Sequence, residues 1–499
     1  MKKSVRLTSL ALCLLMTATF FTGCKKTKVI DGGWISDDSG YIIDGSDADS
    51  AVSSGKGGKT QGGAVKNNNS KTPSNATASG EGITDKFIKS LKGTQVKIFT
   101  MREEKPERGT TSGDRYYSVL KKVAKKYGAS IDTVDVDVSG LMTSILSGKP
   151  TANVISVNDY SLYGYLKSNA AANLNDAMKT TGITFREEWY NQDGRKLLNI
   201  SNKQYGWISD ITSPYFIFYN KRLVQAQGLE DPFKVYQKGN WSYDTFYNYA
   251  TKLNAKATDG SVISRGLGIA DWVVLATQLT YRNNGSIYDI KGGKMVINTD
   301  SPNTMNGLSF TSKLIQSGAV AAGGPSGWNQ QFVNFAKGSV AMILSTKYIV
   351  SVMNDQNMTD AVGIVPLPYG PDAGKNAKIA YDQLYATIIP KPCANEAAKI
   401  LYLMNEVNQE NYKNRKKDFE SDYRAVIRDT AAYNLFSDCS LKDNDAVAKF
   451  DMISGTYSIL NEFSGILESG TAAEAVNSFK GAMKSGVSDN WGSITFTGF

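Results

Sequence analysis

The chain has 499 residues, 41% hydrophobic and 10% aromatic, ample for a large core or for two lobes. Its formal charge of +9 hints at nucleic acid, but ten of the lysines and arginines lie before residue 83 and the rest are interspersed with acids, leaving no basic stripe. Histidine is absent, which removes Ser-His-Asp triads, Cys-His dyads and histidine metal sites; hydrolysis by two carboxylates survives.

The chain begins MKKSVR, and Leu7 to Phe21 then runs fifteen residues without a charge. A bilayer-spanning helix needs roughly 20 apolar residues, so this run predicts a secretory signal over residues 1–23. Gly23-Cys24 resembles the lipobox of bacterial lipoproteins, with Phe21 standing where that motif usually has an aliphatic residue. The resemblance implies that the Cys24 thiol carries lipid and that the protein is anchored to the cell membrane, facing outward. An ordinary secreted protein with an incidental cysteine is the alternative.

Residues 24–82 are rich in Gly, Ser, Asn, Asp and Lys and predict a flexible tether, because so little apolar surface cannot offset ordering entropy. Within it, SSGKGGKT (Ser53 to Thr60) imitates a phosphate-binding loop but has no strand before it or helix after it.

The folded part is expected over 83–499. TQVKIFT (Thr94 to Thr100) alternates as a strand, and Tyr116, Val119, Leu120, Val123 and Tyr127 recur at helical spacing before Gly128. Val134, Val136 and Val138 predict a second strand, Leu141 to Leu146 a short helix, and NVISV (Asn153 to Val157) a third strand. Strands alternating with helices imply an α/β fold with a mostly parallel sheet, whose ligands bind beyond the carboxyl ends of the strands. YGWISDITSPYFIFYNKRL (Tyr205 to Leu223) holds two apolar runs split by a polar step, and Ser242 is expected to cap a helix with Phe246, Tyr249, Ala250 and Leu253 on one face. Cys393 and Cys439 either pair in an oxidising exterior or remain separate buried thiols.

LMTSILSGKPTANVISVND, YNKRLVQAQGL with WSYDTFYNYATKL, FAKGSVAMILSTKY, VGIVPLPYGPD and LESGTAAEAV, in this order, resemble the family-1 solute-binding lipoproteins of ABC importers, the family of the maltose-binding protein. Asn153 stands where that family commonly has Asp. The resemblance implies a periplasmic-binding-protein type II-like fold of two discontinuous α/β lobes joined by hinge crossovers. They would comprise about 83–212 with 367–410, and 213–366 with 411–499. It also implies a monomer that takes a carbohydrate and meets permease subunits in the membrane, with no cofactor, no metal and no catalysis.

A pyranose offers apolar C–H faces and equatorial hydroxyls, so its site needs aromatic platforms with carboxylates, amides or guanidinium groups. The resemblance places Asn158 and Asp159 after the third strand, with a loop cap as the alternative. Asp271 and Trp272 end the GIADW stretch, where Trp272 packing between lobes is the alternative. Tyr348 falls where sugar-binding members carry a stacking aromatic, and otherwise faces a helix core. Asp210 and Tyr215 flank the first hinge, Asp382 ends the second, and Tyr457 begins the C-terminal helical region. Arg102, at the end of the first strand, suits a hydroxyl pair or an acidic sugar, or else pairs with Glu103 or Glu104. Two other functions compete with transport: a cell-surface glycosidase using two carboxylates, and a sensor or adhesin without a permease.

Overall fold

Val96 and Ile98 sit on one side of β1 (Gln95–Thr100), and both are buried beneath α1 (Thr111–Tyr127) with Tyr117, Val119, Leu120 and Val123. The helix starts where the Thr110 hydroxyl accepts from the Gly113 N–H at 3.0 Å. It stops at Gly128, whose φ of +64° is the left-handed conformation that glycine adopts without strain. The computed structural model describes residues 83–101, 105–209, 213–260, 263–323, 327–382, 384–441, 446–452 and 455–499. The expected signal and tether, Cys24, Arg102 and Asp210 lie outside them, as does the side chain of Asp159.

The second strand differs from expectation. β2 is Ser130–Thr133, with Ile131 as its buried residue, and the Val134-Val136-Val138 alternation is not a strand. Asp137 instead caps α2 (Val138–Leu146), accepting from the Ser139 N–H at 3.1 Å, and Val138 is left exposed. A capping aspartate beside a valine outweighs period-2 alternation, because the orphan N–H groups of the helix need a partner.

β3 (Val154–Val157) follows, and then α3 (Asp159–Lys167). Asn153, just before β3, accepts from the Lys97 N–H and donates to the Gln95 carbonyl, both at 2.7 Å. The amide thus satisfies both kinds of backbone group on β1; a carboxylate could make only the first bond.

The rest of the chain supplies β4 (Phe216–Asn220), α4 (Tyr243–Leu253), β5 (Arg265–Gly268), α5 (Trp272–Tyr281), β6 (Val320–Ala321) and β7 (Val340–Ser345). After these come β8 (Val362–Pro366), β9 (Ile379–Tyr381), β10 (Ala386–Ile388), α6 (Ala397–Tyr423), β11 (Ala446–Ala448) and α7 (Tyr457–Ile466). Two main sheets result. The first has the order β10-β3-β1-β2, parallel except for β10. The second has the order β6-β5-β7-β4-β8, in which β4 runs antiparallel to both neighbours. Every residue of β4, β7 and β8 is buried, as expected of strands covered on both faces.

Ser242 caps α4 as its position predicts, and Phe246, Tyr249, Ala250 and Leu253 are all buried. Helix α6 is unusually long, 27 residues. Its first half packs Ile400, Leu401, Met404 and Val407 against the first sheet's core, whereas Phe419 lies in the core of the second sheet, its ring tilted against those of Phe436 and Tyr423. Both cores therefore share one helix. Cys393 borders the first core and Cys439 is buried in the second, so no disulfide joins them.

Candidate functional site

Thr100 and Ser156 lie at the carboxyl ends of β1 and β3, where open α/β sheets bind ligands. A cavity of about 360 Å³ opens there. The chain crosses between the sheets twice beside it: Trp207, Ser209 and Ser213 line it from one crossover, and Tyr381, Leu384 and Tyr385 from the other. Lys347, just after β7, reaches it from the second sheet, and Asn411, Tyr412 and Arg415 of α6 form a wall. The lining mixes aromatic rings with hydroxyls, amides and charges.

Two carboxyls on α6 complete that wall. Asp418 accepts from the Arg115 guanidinium, yet burial still holds its carboxyl above the usual range. Asp422 is likewise raised by burial; the Ser112 hydroxyl and the Lys347 charge oppose that rise. The Asp422 carboxyl thus sits between α1 of the first sheet and the Lys347 loop of the second.

A second set of candidates gathers around the start of α5. Asp271 caps that helix, accepting from the Val274 N–H at 2.8 Å and from the Tyr457 hydroxyl at 3.2 Å. Burial raises its carboxyl, and these two donors oppose the rise. Trp272, next in the chain, is partly buried against the second sheet's core. Tyr348 is 39% exposed, and its ring centroid lies 5.3 Å from that of Trp328, itself 41% exposed. Phe332 supports both rings, at 5.6 and 5.9 Å. The Trp328 loop can lie against Ala270 because residue 323 is glycine: a Cβ there would come within 2.7 Å of the Ala270 carbonyl and 2.8 Å of the Trp328 Cα. Asp271, Trp272, Tyr457, Tyr348 and Trp328 therefore occupy one neighbourhood.

The remaining candidates are dispersed. Asn158 caps α3, accepting from the Ser161 N–H at 3.1 Å, and its own N–H points at the Met101 sulfur at 3.2 Å. Tyr215 is 7% exposed and packs in the second sheet's core. Asp382 is fully buried, accepting from Gln278 and Tyr281. None of these three lines the cavity, although Tyr381 and Ser213, next to Asp382 and two residues before Tyr215, do.

Sequence reasoning missed Trp328, Lys347 and the α6 wall. Trp328 carried a readable signal, a tryptophan in the turn-rich stretch GGPSGW, where no core periodicity needs it. The α6 residues carried none, since NYKNRKKDF reads as a solvated helix face. No cluster of three or more His, Cys, Asp or Glu able to hold a metal occurs among the described residues. None of the described helices is long and apolar enough to cross a membrane.

Residues 110–405 match the family described as bacterial extracellular solute-binding protein. No curated protein sequence matches the chain. Among solved structures, the galacto-N-biose/lacto-N-biose I-binding protein of an ABC transporter from Bifidobacterium longum aligns with a TM-score of 0.59 at 14% identity, covering 80% of this chain and 98% of that one. UgpB from Mycobacterium tuberculosis, solved with glycerophosphocholine, aligns at 0.58 and 14% identity over 80% and 99% of the two chains. The GacH receptor of Streptomyces glaucescens, solved unliganded and with acarbose, aligns at 0.55 and 15% identity, again over 80% and 99%.

Proposed function

This chain belongs to the bacterial extracellular solute-binding protein family, and from that premise we propose that it captures a carbohydrate outside the cell and passes it to the permease of an ABC importer. Its fold is α/β and periplasmic-binding-protein type II-like, in keeping with the solved structures it resembles. The two sheets are the cores of two lobes, divided near residues 212, 366 and 410, and the crossovers at 210–215 and 366–382 are the hinges. Cys24 is the lipid anchor.

One observation carries the carbohydrate reading: two exposed aromatic rings, of which Tyr348 directly follows Lys347 of a cleft rich in hydroxyl, amide and charged groups, although neither ring lines that cleft itself. Trp328 and Tyr348 together present two apolar faces with carboxyl and hydroxyl groups close by at Asp271 and Tyr457. Such a surface suits the C–H faces and hydroxyls of a sugar. The ligand reaches the protein intact and leaves it intact. Asp418 and Asp422 are both in the cleft but project from one face of one helix, whereas hydrolysis needs carboxyls flanking the scissile bond from opposite sides.

A thermal-shift screen tests the reading. The panel contains mono- and oligosaccharides, with glycerophosphodiesters as the non-sugar arm. A ligand that binds only the native state raises the melting temperature. A shift with sugars alone supports the proposal, and a shift with glycerophosphodiesters alone overturns the ligand class. Product analysis after long incubation with the hit separates capture from turnover: steady release of shortened sugar would make the protein a glycosidase.

A further inference from the structure

β9 and β11 run side by side in parallel, and the Lys449 N–H extends the ribbon by donating to the Tyr381 carbonyl at 2.8 Å. Each strand leads into an aspartate, Asp382 directly after β9 and Asp451 three residues after β11. Both are fully buried, at 0% exposure. Asp451 Oδ1 accepts from the backbone N–H groups of Ile287 and Tyr288, each at 2.7 Å. Asp382 Oδ2 accepts from the Gln278 amide at 2.9 Å and the Tyr281 hydroxyl at 3.3 Å. The other two oxygens, Asp382 Oδ1 and Asp451 Oδ2, are buried with no hydrogen-bond partner among the described residues.

The donors do not suffice. Tyr281 faces both carboxyls but has one proton. Donated to one carboxyl, it leaves the hydroxyl oxygen facing the other across an acceptor–acceptor contact. Two ionised carboxylates out of water, with orphan oxygens, are costly; one added proton relieves the repulsion and supplies the missing donor. We propose that Asp382 and Asp451 hold one proton between them and form a proton-operated clasp fixing the β9–β11 ribbon to α5.

The proton resides on Asp382, because two backbone N–H groups at 2.7 Å favour the anion at Asp451, while Asp382 is held by a side-chain amide, a hydroxyl at 3.3 Å and its own N–H and also feels the Asp451 charge. Burial, then the Asp451 charge, pushes Asp382 up to about 7; burial pushes Asp451 up to about 6 against its backbone donors. The other groups facing the pair are few. Lys449 lies 5.7 Å from the Tyr281 ring centroid and favours the Asp451 anion. Arg282, next to Tyr281 on α5, is turned away and donates to the carbonyls of Leu367, Ala377 and Lys378. The Tyr288 hydroxyl oxygen accepts a hydrogen bond from the Thr456 hydroxyl at 2.7 Å. The clasp does not depend on what the cleft binds.

The sign follows from linkage. An unfolded aspartate ionises near pH 4, so between about pH 4 and pH 7 the native state holds a proton that the unfolded chain has released. The clasp's contribution is present at the acid end of that window and is lost as pH rises through it.

Melting curves of the mature protein from about pH 5 to pH 8.5 test this. Wild type is expected to melt lower as pH rises, whereas Asp382→Asn, a permanently neutral mimic of the protonated acid, flattens the fall and melts above wild type at the alkaline end. An Asp382→Asn profile parallel to wild type overturns the proposal. So does a sodium or calcium salt that raises the melting temperature of wild type but not of Asp382→Asn, since the pair would then hold a cation. If Asp382→Asn does not fold, infrared spectra of wild type decide. A buried carboxylic-acid band at neutral pH that disappears on alkaline titration supports the shared proton, and its absence refutes it.

Discussion

Trp328 and Trp241 show one side-chain type in two environments. Trp328 is 41% exposed beside Tyr348, whereas Trp241 is 1% exposed, edge-on to Phe246 and Tyr249, with its indole N–H on the Pro366 carbonyl at 2.8 Å. Stacking a sugar face on an aromatic ring contributes roughly 1–3 kcal/mol on area grounds. Trp328→Ala and Tyr348→Ala are therefore expected to weaken sugar binding about 5- to 150-fold by calorimetric titration, with the melting curve of the free protein nearly unchanged. Trp241→Ala should do the reverse, costing about 3–5 kcal/mol of stability through the cavity it leaves and the orphaned Pro366 carbonyl. Normal affinity with a large loss of stability in Tyr348→Ala would assign that ring to the core.

Some helix ends were readable, the Ser242 start and the Gly128 stop, because a capping side chain must be adjacent in sequence to the N–H it satisfies. Asn158, Ser242 and Asp271 all cap the helices that follow them. The α1 cap offers a clean measurement: the Thr110 hydroxyl accepts from Gly113 and donates to the Glu107 carbonyl at 2.8 Å. Thr110→Ala should cost about 1 kcal/mol, seen as a lower urea midpoint with an unchanged slope. The seam of ion pairs between α1 and α6 (Lys122 to Glu410, Lys126 to Glu406) is half-exposed and should matter far less, because solvent screens such pairs. A Lys122→Ala midpoint shift as large as that of Thr110→Ala would contradict this ranking.

At the scale of the molecule, α6 constrains any closure. The crossovers can absorb backbone rotation, but a helix with Met404 in one core and Phe419 in the other must tilt as a rod or bend. A ligand touching both lobes favours the closed form only by its differential affinity for that form. X-ray scattering is expected to give a smaller radius of gyration at saturating ligand, and an unchanged radius would mark the site as rigid. Anchoring is tested separately. Cys24→Ser should abolish incorporation of labelled fatty acid and release the protein or leave its signal uncleaved; full labelling of the mutant would remove the anchor.

The α/β class, the β1-α1 unit with its Gly128 stop, β3 and the Ser242 cap were determined by the sequence alone, because each depends on side chains within a few residues of one another. Local periodicity failed at Val134 to Val138, where a capping aspartate outweighed the alternation. The site was legible only in pieces. Asp271 and Tyr457 are both expected ligand residues, but their hydrogen bond across 186 positions is a product of tertiary packing. The fully buried Asp382 shows the opposite outcome: its place at the end of a crossover suggested a ligand contact, and only the fold could bring Tyr281, Gln278 and Asp451 around it. The α6 wall was invisible because an amphipathic pattern shows that one face of a helix is polar but not whether that face meets water or a cleft. That choice is made by whatever packs opposite, and here it is made by the two crossovers and by strand ends more than two hundred residues away in the chain.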